Sequence, residues 1–123
     1  MRAYRTLVAV LACAGLVGVA AAHAKLVRAE PAPGAVLRTA PRVVRAVFNE
    51  ELAARGSFLV VVDARGRRVD DGKSGLDLDD LDRRTLLARL RPLGPGRYTV
   101  RWQATSADDG YVARGSYVFT VRP

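Results

Sequence analysis

Cysteine, methionine, tryptophan and histidine each occur once in the 123 residues of the chain. These counts exclude a disulfide framework, a zinc site built from cysteines, a methionine-rich site for soft metals and any cluster of histidines. Any chemistry must therefore come from carboxylates, hydroxyls, backbone groups and one imidazole. Hydrophobic residues make up 50% of the chain and charged residues 26%, which excludes a disordered or low-complexity protein. The formal net charge is +8, and arginine supplies most of the positive charge.

Residues 1–22 have the pattern of a secretory signal peptide. Two arginines precede an apolar stretch, and Ala20-Ala21-Ala22 provides the small residues that a signal peptidase recognises. Roughly 14 apolar residues form about 21 Å of helix, which is shorter than the ~30 Å hydrocarbon core of a membrane. We therefore predict a Sec-type signal peptide at residues 1–22 and a mature domain at residues 23–123. The mature protein is expected in the periplasm or otherwise exported, as a monomer that does not span the membrane.

The cleavage point decides which residue begins the mature chain. Cleavage after Ala22 leaves His23 with a free α-amine and an imidazole on one residue, and this cut is favoured because the longer apolar run adjoins it. Ala22-His23-Ala24 also fits the A-x-A pattern, so cleavage after Ala24 is the alternative. Cys13 loosely resembles the cysteine of a lipoprotein box, but the apolar stretch before it is short. We interpret Cys13 as part of the discarded signal, which leaves a mature chain without thiols.

Short alternating segments after the signal peptide predict an all-β fold. Strands are expected at residues 26–29, 41–49, 58–62, 86–91, 98–105 and 117–121. Val44, Ala46 and Phe48 show the period of two that is typical of a half-buried strand, and turn residues separate the segments. No segment has a helical period. The pattern predicts a small β-sandwich or barrel, with Trp102 on an inward face as a main packing residue.

Residues 70–82 form a connector rich in glycine and aspartate that holds six of the twelve carboxylates. Its spacing does not match an EF-hand calcium loop, because Leu81 stands where a third ligand is required and no glutamate follows. We interpret the connector as a solvated loop. The arginines lie at alternating strand positions without interleaved aromatic residues, so no nucleic-acid partner is predicted. A basic surface near an anionic membrane face is compatible with the charge.

Two places in the mature chain could carry chemistry. One is His23, and the other is the connection of residues 105–111 between the two clearest strands. Asp109-Gly110 is a strong turn signal, because the aspartate can hydrogen-bond its own backbone and glycine accepts a positive φ. From the residues alone, a tight turn without a functional role is the simpler interpretation.

Several motifs follow one another along the predicted mature chain. They are His23-Ala24-Lys25-Leu26, Pro31-Ala32-Pro33-Gly34, Phe48-Asn49-Glu50, Gly96-Arg97-Tyr98-Thr99-Val100-Arg101-Trp102, residues 106–110, and Gly115 with Phe119 and Val121. Taken in this order, they resemble the CopC-like periplasmic copper-binding family. The resemblance spans the whole predicted mature chain, and the combination is more specific than any one motif. It implies a small Greek-key sandwich or barrel, similar to immunoglobulin and cupredoxin domains. It also implies binding of Cu(II) in copper homeostasis or resistance.

The resemblance also implies which residues bind the metal. In the family's pattern the Cu(II) ligands are the amine and imidazole of an N-terminal histidine, with the aspartate and histidine of an Asp-Gly-His turn. His23 and Asp109 match the first histidine and the aspartate, whereas Tyr111 stands where the second histidine is expected. Water or the Tyr111 phenolate would then take the fourth place, and binding should be weaker. The family's Cu(I) site, where present, is methionine-rich, and the predicted mature chain contains no methionine.

The residues also bear on three other classes of function. The alternative is a metal-free interaction module that binds an inner-membrane copper transporter. Tyr111 in place of the expected second histidine favours it. A copper oxidase with a histidine brace requires two imidazoles, and the chain has one. A hydrolase would need another histidine to activate its nucleophile once His23 is used. We therefore predict no enzymatic activity, and a copper ion as the expected ligand.

Overall fold

The computed structural model describes residues 23–123, so the predicted signal peptide and Cys13 lie outside the described residues. Residues 23–123 form eight strands: β1 (Leu26–Glu30), β2 (Val36–Leu37), β3 (Val43–Phe48), β4 (Phe58–Val62), β5 (Gly75–Leu76), β6 (Thr85–Arg89), β7 (Gly96–Thr105) and β8 (Val112–Val121). No helix in this part of the chain is long and apolar enough to cross a membrane. The prediction of an all-β fold is confirmed.

The strands form two four-stranded sheets, in the orders β1-β3-β6-β5 and β2-β8-β7-β4. All strand pairs are antiparallel except β2 and β8, which run parallel. The longest pairing joins β7 to β8 from Gly96↔Val121 to Thr105↔Val112. This hairpin extends over the full length of its sheet, so the connection between β7 and β8 lies at one end of the sandwich.

The core lies between the two sheets and is built from alternate residues of the strands. The inward residues are Val44, Ala46 and Phe48 of β3, Leu59 and Val61 of β4, Leu86 and Ala88 of β6, Tyr98, Val100 and Ala104 of β7, and Tyr117, Phe119 and Val121 of β8. Tyr98 and Phe119 stack with ring centroids 5.4 Å apart. Because each buried large apolar side chain contributes roughly 1.5–3 kcal/mol, this layer accounts for the driving force of folding.

Trp102 faces inward, as predicted, but it is less central than expected. The indole ring packs edge-on against Phe48, with centroids 5.1 Å apart, and is partly buried rather than fully enclosed. One side of the ring covers the backbone at Gly115 and lines a shallow cavity on the sheet surface with Phe58 and Arg114. Trp102 therefore closes one margin of the core, and the fully buried centre consists of aliphatic residues and phenylalanine.

The acidic connector contains a buried carboxylate, so its interpretation as a solvated loop is wrong for Asp70. This residue is 1% exposed, and its Oδ2 accepts hydrogen bonds from the Val61 N–H (2.8 Å) and the Arg68 Nε–H (3.0 Å). Ser74 exchanges hydrogen bonds of 2.9 and 2.7 Å with the backbone of Leu59. Both side chains satisfy the free edge of β4, which prevents that edge from pairing with another chain.

Candidate metal centre

The N-terminal arm is fixed by a pair of hydrogen bonds to the segment after β3. The Lys25 N–H donates to Asn49 Oδ1 (2.8 Å), and the Asn49 N–H donates to the Lys25 carbonyl (3.1 Å). Ala24 is buried at 3% exposure, which anchors the arm directly beside His23. The imidazole is therefore held at the end of the sandwich at which β3 ends.

The connection between β7 and β8 is a tight turn, as predicted. The Ser106 N–H donates to the Tyr111 carbonyl (2.9 Å), and the Gly110 N–H donates to the Ser106 carbonyl (3.0 Å). Asp109 Oδ1 accepts a hydrogen bond from the Tyr111 N–H (2.9 Å). Gly110 has φ +72°, a left-handed conformation in which a β-carbon is unfavourable. The residue types at Asp109 and Gly110 are thus explained by the turn itself.

One segment holds both the arm and the turn. Asn49 pairs with the arm, and two residues later the Glu51 carbonyl accepts a hydrogen bond from the Ala107 N–H (3.0 Å). The Ala53 N–H then donates to the Thr105 carbonyl (2.8 Å). The residues after β3 therefore bring the N-terminal arm and the Asp-Gly turn to the same end of the protein.

His23 and Tyr111 meet at this end. Their ring centroids are 3.6 Å apart, and the ring planes are inclined by 31°. His23 is partly buried, whereas Tyr111 is 47% exposed. The residue that replaces the expected second histidine thus lies in direct contact with the first.

Two polar atoms near the arm are buried without a hydrogen-bond partner among the described residues: His23 Nδ1 and Glu50 Oε1. Such atoms are rare in folded proteins and often indicate a ligand or ion that would satisfy them. Glu50 directly follows Asn49, which is bonded to the arm. It is not among the residues predicted to bind metal, although it belongs to the Phe48-Asn49-Glu50 motif.

The structure does not assemble a complete ligand set. Within residues 23–123, no three His, Cys, Asp or Glu side chains form a group that could hold a metal ion. Asp109 is exposed, and one of its oxygens is engaged by the turn. The described donors at this end are therefore one imidazole and separate carboxylates. A further nitrogen would come from the α-amine of His23 after cleavage at Ala22.

Comparison with protein families identifies the fold. The CopC domain matches residues 26–122. The chain belongs to the CopC family. The copper transport protein CutJ of Bacillus subtilis is 30% identical over 100 residues, covering 81% of this chain and 18% of CutJ. The protein YobA of Escherichia coli K12 is 28% identical over 102 residues, covering 82% of this chain and 80% of YobA.

Solved structures agree with this assignment. CopC from Methylosinus trichosporium OB3b superimposes with a TM-score of 0.69 and 28% identity, covering 82% of this chain and 95% of that chain. PcoC, a methionine-rich copper resistance protein from Escherichia coli, superimposes with a TM-score of 0.62 and 25% identity, covering 82% and 100% of the two chains. The predicted family and the predicted sandwich are both confirmed.

Proposed function

We propose that the mature CopC domain binds one Cu(II) ion where His23 meets the Asp-Gly turn, and that it serves copper homeostasis or resistance in the periplasm without catalysing a reaction. The contact between the His23 and Tyr111 rings carries the proposal, because each of these residues belongs to one predicted half of the site. The unsatisfied Nδ1 of His23 supports it. The names of the relatives, a copper transport protein and a copper resistance protein, agree with this role.

The available donors suit Cu(II). Cleavage after Ala22 would give His23 an α-amine beside its imidazole, and Cu(II) favours such nitrogen chelates with additional oxygen ligands. Asp109 would supply an anionic oxygen, and Glu50 is a second candidate because its Oε1 is buried without a partner. Tyr111 contributes an aromatic contact where the family's pattern has a nitrogen donor. We therefore expect weaker binding than at a site with two imidazoles.

Copper(I) is a poorer candidate for the bound ion. PcoC is described as methionine-rich, whereas the only methionine of this chain is Met1. Thioether sulfur is the neutral soft ligand that Cu(I) sites use. With neither thioether nor thiol in residues 23–123, the nitrogen and oxygen donors at the His23 end favour the divalent ion.

A metal-free interaction module is the second candidate function. Two observations favour it: Tyr111 occupies one face of the imidazole, and residues 23–123 contain no group of three metal-binding side chains. The chain spans 18% of the length of CutJ, so a related domain occurs within a longer copper transport protein. In this alternative the protein would dock onto an inner-membrane copper transporter and carry no ion.

The first experiment establishes the N-terminus. We expect the intact mass of the exported protein to correspond to a chain that begins at His23. A chain that begins at Lys25 would lack the imidazole, and a chain acylated at Cys13 would lack the free amine of His23. Either result would contradict the proposed ligand set.

The second experiment measures Cu(II) binding by competition with a chelator. We expect one ion per wild-type chain, with affinity that rises with pH because amine and imidazole must be deprotonated to bind metal. Asp109→Asn keeps the turn's hydrogen-bond acceptor but removes the charge, so affinity should fall roughly 10-fold or more. Asp108→Asn is the matched control and should bind like wild type. Absence of stoichiometric binding would favour the interaction module.

A further inference from the structure

The end of the sandwich opposite His23 is rich in exposed arginines. Seven exposed arginines lie in the connections at this end or beside it, and we call them the arginine pole: Arg38, Arg42, Arg65, Arg67, Arg91, Arg97 and Arg122. They come from five separate segments and from both sheets. The pole is therefore a property of the folded protein and not of one basic stretch of sequence.

Contacts place these arginines together. Arg65, Arg67 and Arg97 line one cavity of about 180 Å³ beside the turn that follows β4. The Arg122 N–H donates to the Leu37 carbonyl (2.8 Å), which puts Arg122 beside Arg38.

The remaining two arginines join the pole from the other sheet. The Arg42 carbonyl accepts a hydrogen bond from the Leu90 N–H (2.8 Å), so Arg42 lies beside Arg91. The Arg91 N–H donates to the Val69 carbonyl (2.9 Å), which ties this pair to the segment after β4.

Three carboxylates lie near the pole: Asp63, Asp70, which is paired with Arg68, and Asp71, whose N–H donates to the Arg89 carbonyl (3.0 Å). Arg67 pairs with Asp63 at 3.4 Å, and among the described residues no carboxylate lies within salt-bridge distance of the other six arginines. The His23 end has the opposite balance. Its carboxylates are Glu50, Glu51, Asp77, Asp79, Asp80, Asp82, Asp108 and Asp109, and its cations are Lys25, Arg28, Arg55, Arg83, Arg84 and Arg114. Charge is thus separated along the strands, over about 33 Å for a ten-residue strand.

We infer that the arginine pole binds the surface of a bilayer that contains anionic phospholipid. Each arginine near such a surface is attracted by the negative surface potential, and no enclosed pocket is required. Spread over five segments, the seven charges suit an extended anionic surface. The metal centre would then face away from the membrane, at the far end of the strands.

An acidic protein fits the pole less well. Stable protein interfaces have an apolar centre with anchoring side chains, and the charged rim contributes less. Among residues 23–123, Val36 is the one large exposed apolar residue that adjoins the pole, since the others belong to the opposite half: Val27, Phe58, Leu78, Leu81, Tyr111 and Val112. The cavity of about 180 Å³ at the pole is also smaller than the ~300–1,000 Å³ of ligand pockets.

The test is co-sedimentation of the metal-free mature protein with vesicles, so its outcome does not depend on copper binding. We expect binding to phosphatidylcholine vesicles that contain phosphatidylglycerol, no binding to pure phosphatidylcholine, and loss of binding as salt is raised. Arg65→Gln with Arg97→Gln should weaken binding about 25-fold, at roughly fivefold per charge. The control, Arg55→Gln with Arg84→Gln, changes the net charge equally at the His23 end and should weaken binding much less.

Orientation provides a second readout. Because the predicted mature chain has no cysteine, a nitroxide label can be placed at Ala64→Cys in the pole or at Ala107→Cys beside the metal centre. We expect lipid contact for the label at position 64 and none at position 107. Equal weakening by both double variants, or lipid contact at position 107, would overturn the proposal. Absence of binding to anionic vesicles at low salt would also overturn it and would favour an acidic protein as the partner.

Binding through exposed leucines is distinguishable in the same assay. Leu78 and Leu81 are 89% and 92% exposed on the loop before β6, at the His23 end. Leu78→Ser with Leu81→Ser should leave vesicle binding unchanged. Binding that resists salt and is lost in this variant would contradict the electrostatic pole.

Discussion

Gly115 lies directly opposite Trp102 in the β7–β8 pair, and the indole ring occupies the space into which a side chain at position 115 would project. A β-carbon at position 115 would lie 2.6 Å from Cε2 of the ring, which is closer than atoms can pack. Glycine is therefore required at this position by the tryptophan and not by a turn. Trp102 and Gly115 both belong to the motifs that resemble the CopC family, and their contact explains why they occur together.

The first prediction follows from this contact. Gly115→Ala should lower the free energy of unfolding by about 1–3 kcal/mol, because the ring must move out of its place against Phe48. Gly75→Ala is the matched control, since a β-carbon at that strand position meets no atom within 4 Å. Urea denaturation of both variants measures the difference. Equal stability of the two variants would show that the ring has room to shift.

The second prediction concerns Asp70. Asp70→Ala should lower the free energy of unfolding by about 2–5 kcal/mol, because the buried N–H of Val61 would lose its acceptor and the N–H of the exposed Gly72 would lose a hydrogen bond. It should also promote association at high concentration, since the free edge of β4 would be exposed. Asp71→Ala, an exposed neighbour, is the control. Urea denaturation and sedimentation velocity test both effects, and a monomeric variant of wild-type stability would contradict the role assigned to Asp70.

The third prediction is a pH dependence. The Thr85 hydroxyl donates to Asp80 Oδ2 (2.8 Å), and with the Arg84 N–H (3.0 Å) it lowers the pKa of Asp80 below its usual 3.8. A carboxyl with a lower pKa in the folded state stabilises the fold above its ordinary pKa, and this contribution is lost as the pH falls through the lowered value. Asp80→Asn should therefore reduce the melting temperature at neutral pH.

The difference between wild type and Asp80→Asn should shrink as the pH falls below 3.8. Asp82→Asn serves as the control, because no hydrogen bond to the Asp82 carboxylate occurs within residues 23–123. Thermal melts from pH 7 to pH 2.5 provide the comparison. A difference that stays constant over this range would show that the hydrogen bond from Thr85 does not depend on the charge of Asp80.

The strands that sequence predicts well are those with a clear period of two. Val44, Ala46 and Phe48 are all buried as the pattern indicates. β2 and β5 contain two residues each, which is too short for any period. β8 begins at Val112, five residues before the predicted strand, because residues 101–105 of β7 pair with residues 112–116. Pairing with an existing strand there outweighs the weak apolar pattern.

The burial of Asp70 has a similar explanation. Asp70 accepts a hydrogen bond from the N–H of Val61 in β4, nine residues earlier. The sequence of the Asp- and Gly-rich connector does not distinguish this aspartate from its neighbours. At the candidate site, the resemblance predicts His23 and Asp109 separately, and the turn prediction is correct. The N-terminal arm and the Asp-Gly turn meet because residues 49–53 form hydrogen bonds with each of them. These bonds join residues far apart in the sequence, so no local sequence pattern predicts them.

In the proposed copper site, His23 and position 111 lie on two sides of one metal ion. A histidine at position 111 would project from the same turn into contact with His23, where the Tyr111 ring now lies 3.6 Å from the imidazole. Tyr111→Phe is the matched control, because it keeps an aromatic ring without adding a nitrogen. All three proteins must begin at His23, as verified by mass.

The most direct measurement is the Cu(II) affinity of wild type, Tyr111→His and Tyr111→Phe by chelator competition, with EPR to count the coordinating nitrogens. We expect Tyr111→His to bind one ion at least ~10-fold more tightly than wild type and with one more coordinating nitrogen, since even outer partners of metal ligands change affinity by this amount. Tyr111→Phe should bind no more tightly than wild type. Tyr111→His binding no better than wild type, with an unchanged nitrogen count, would contradict the claim and favour the metal-free interaction module.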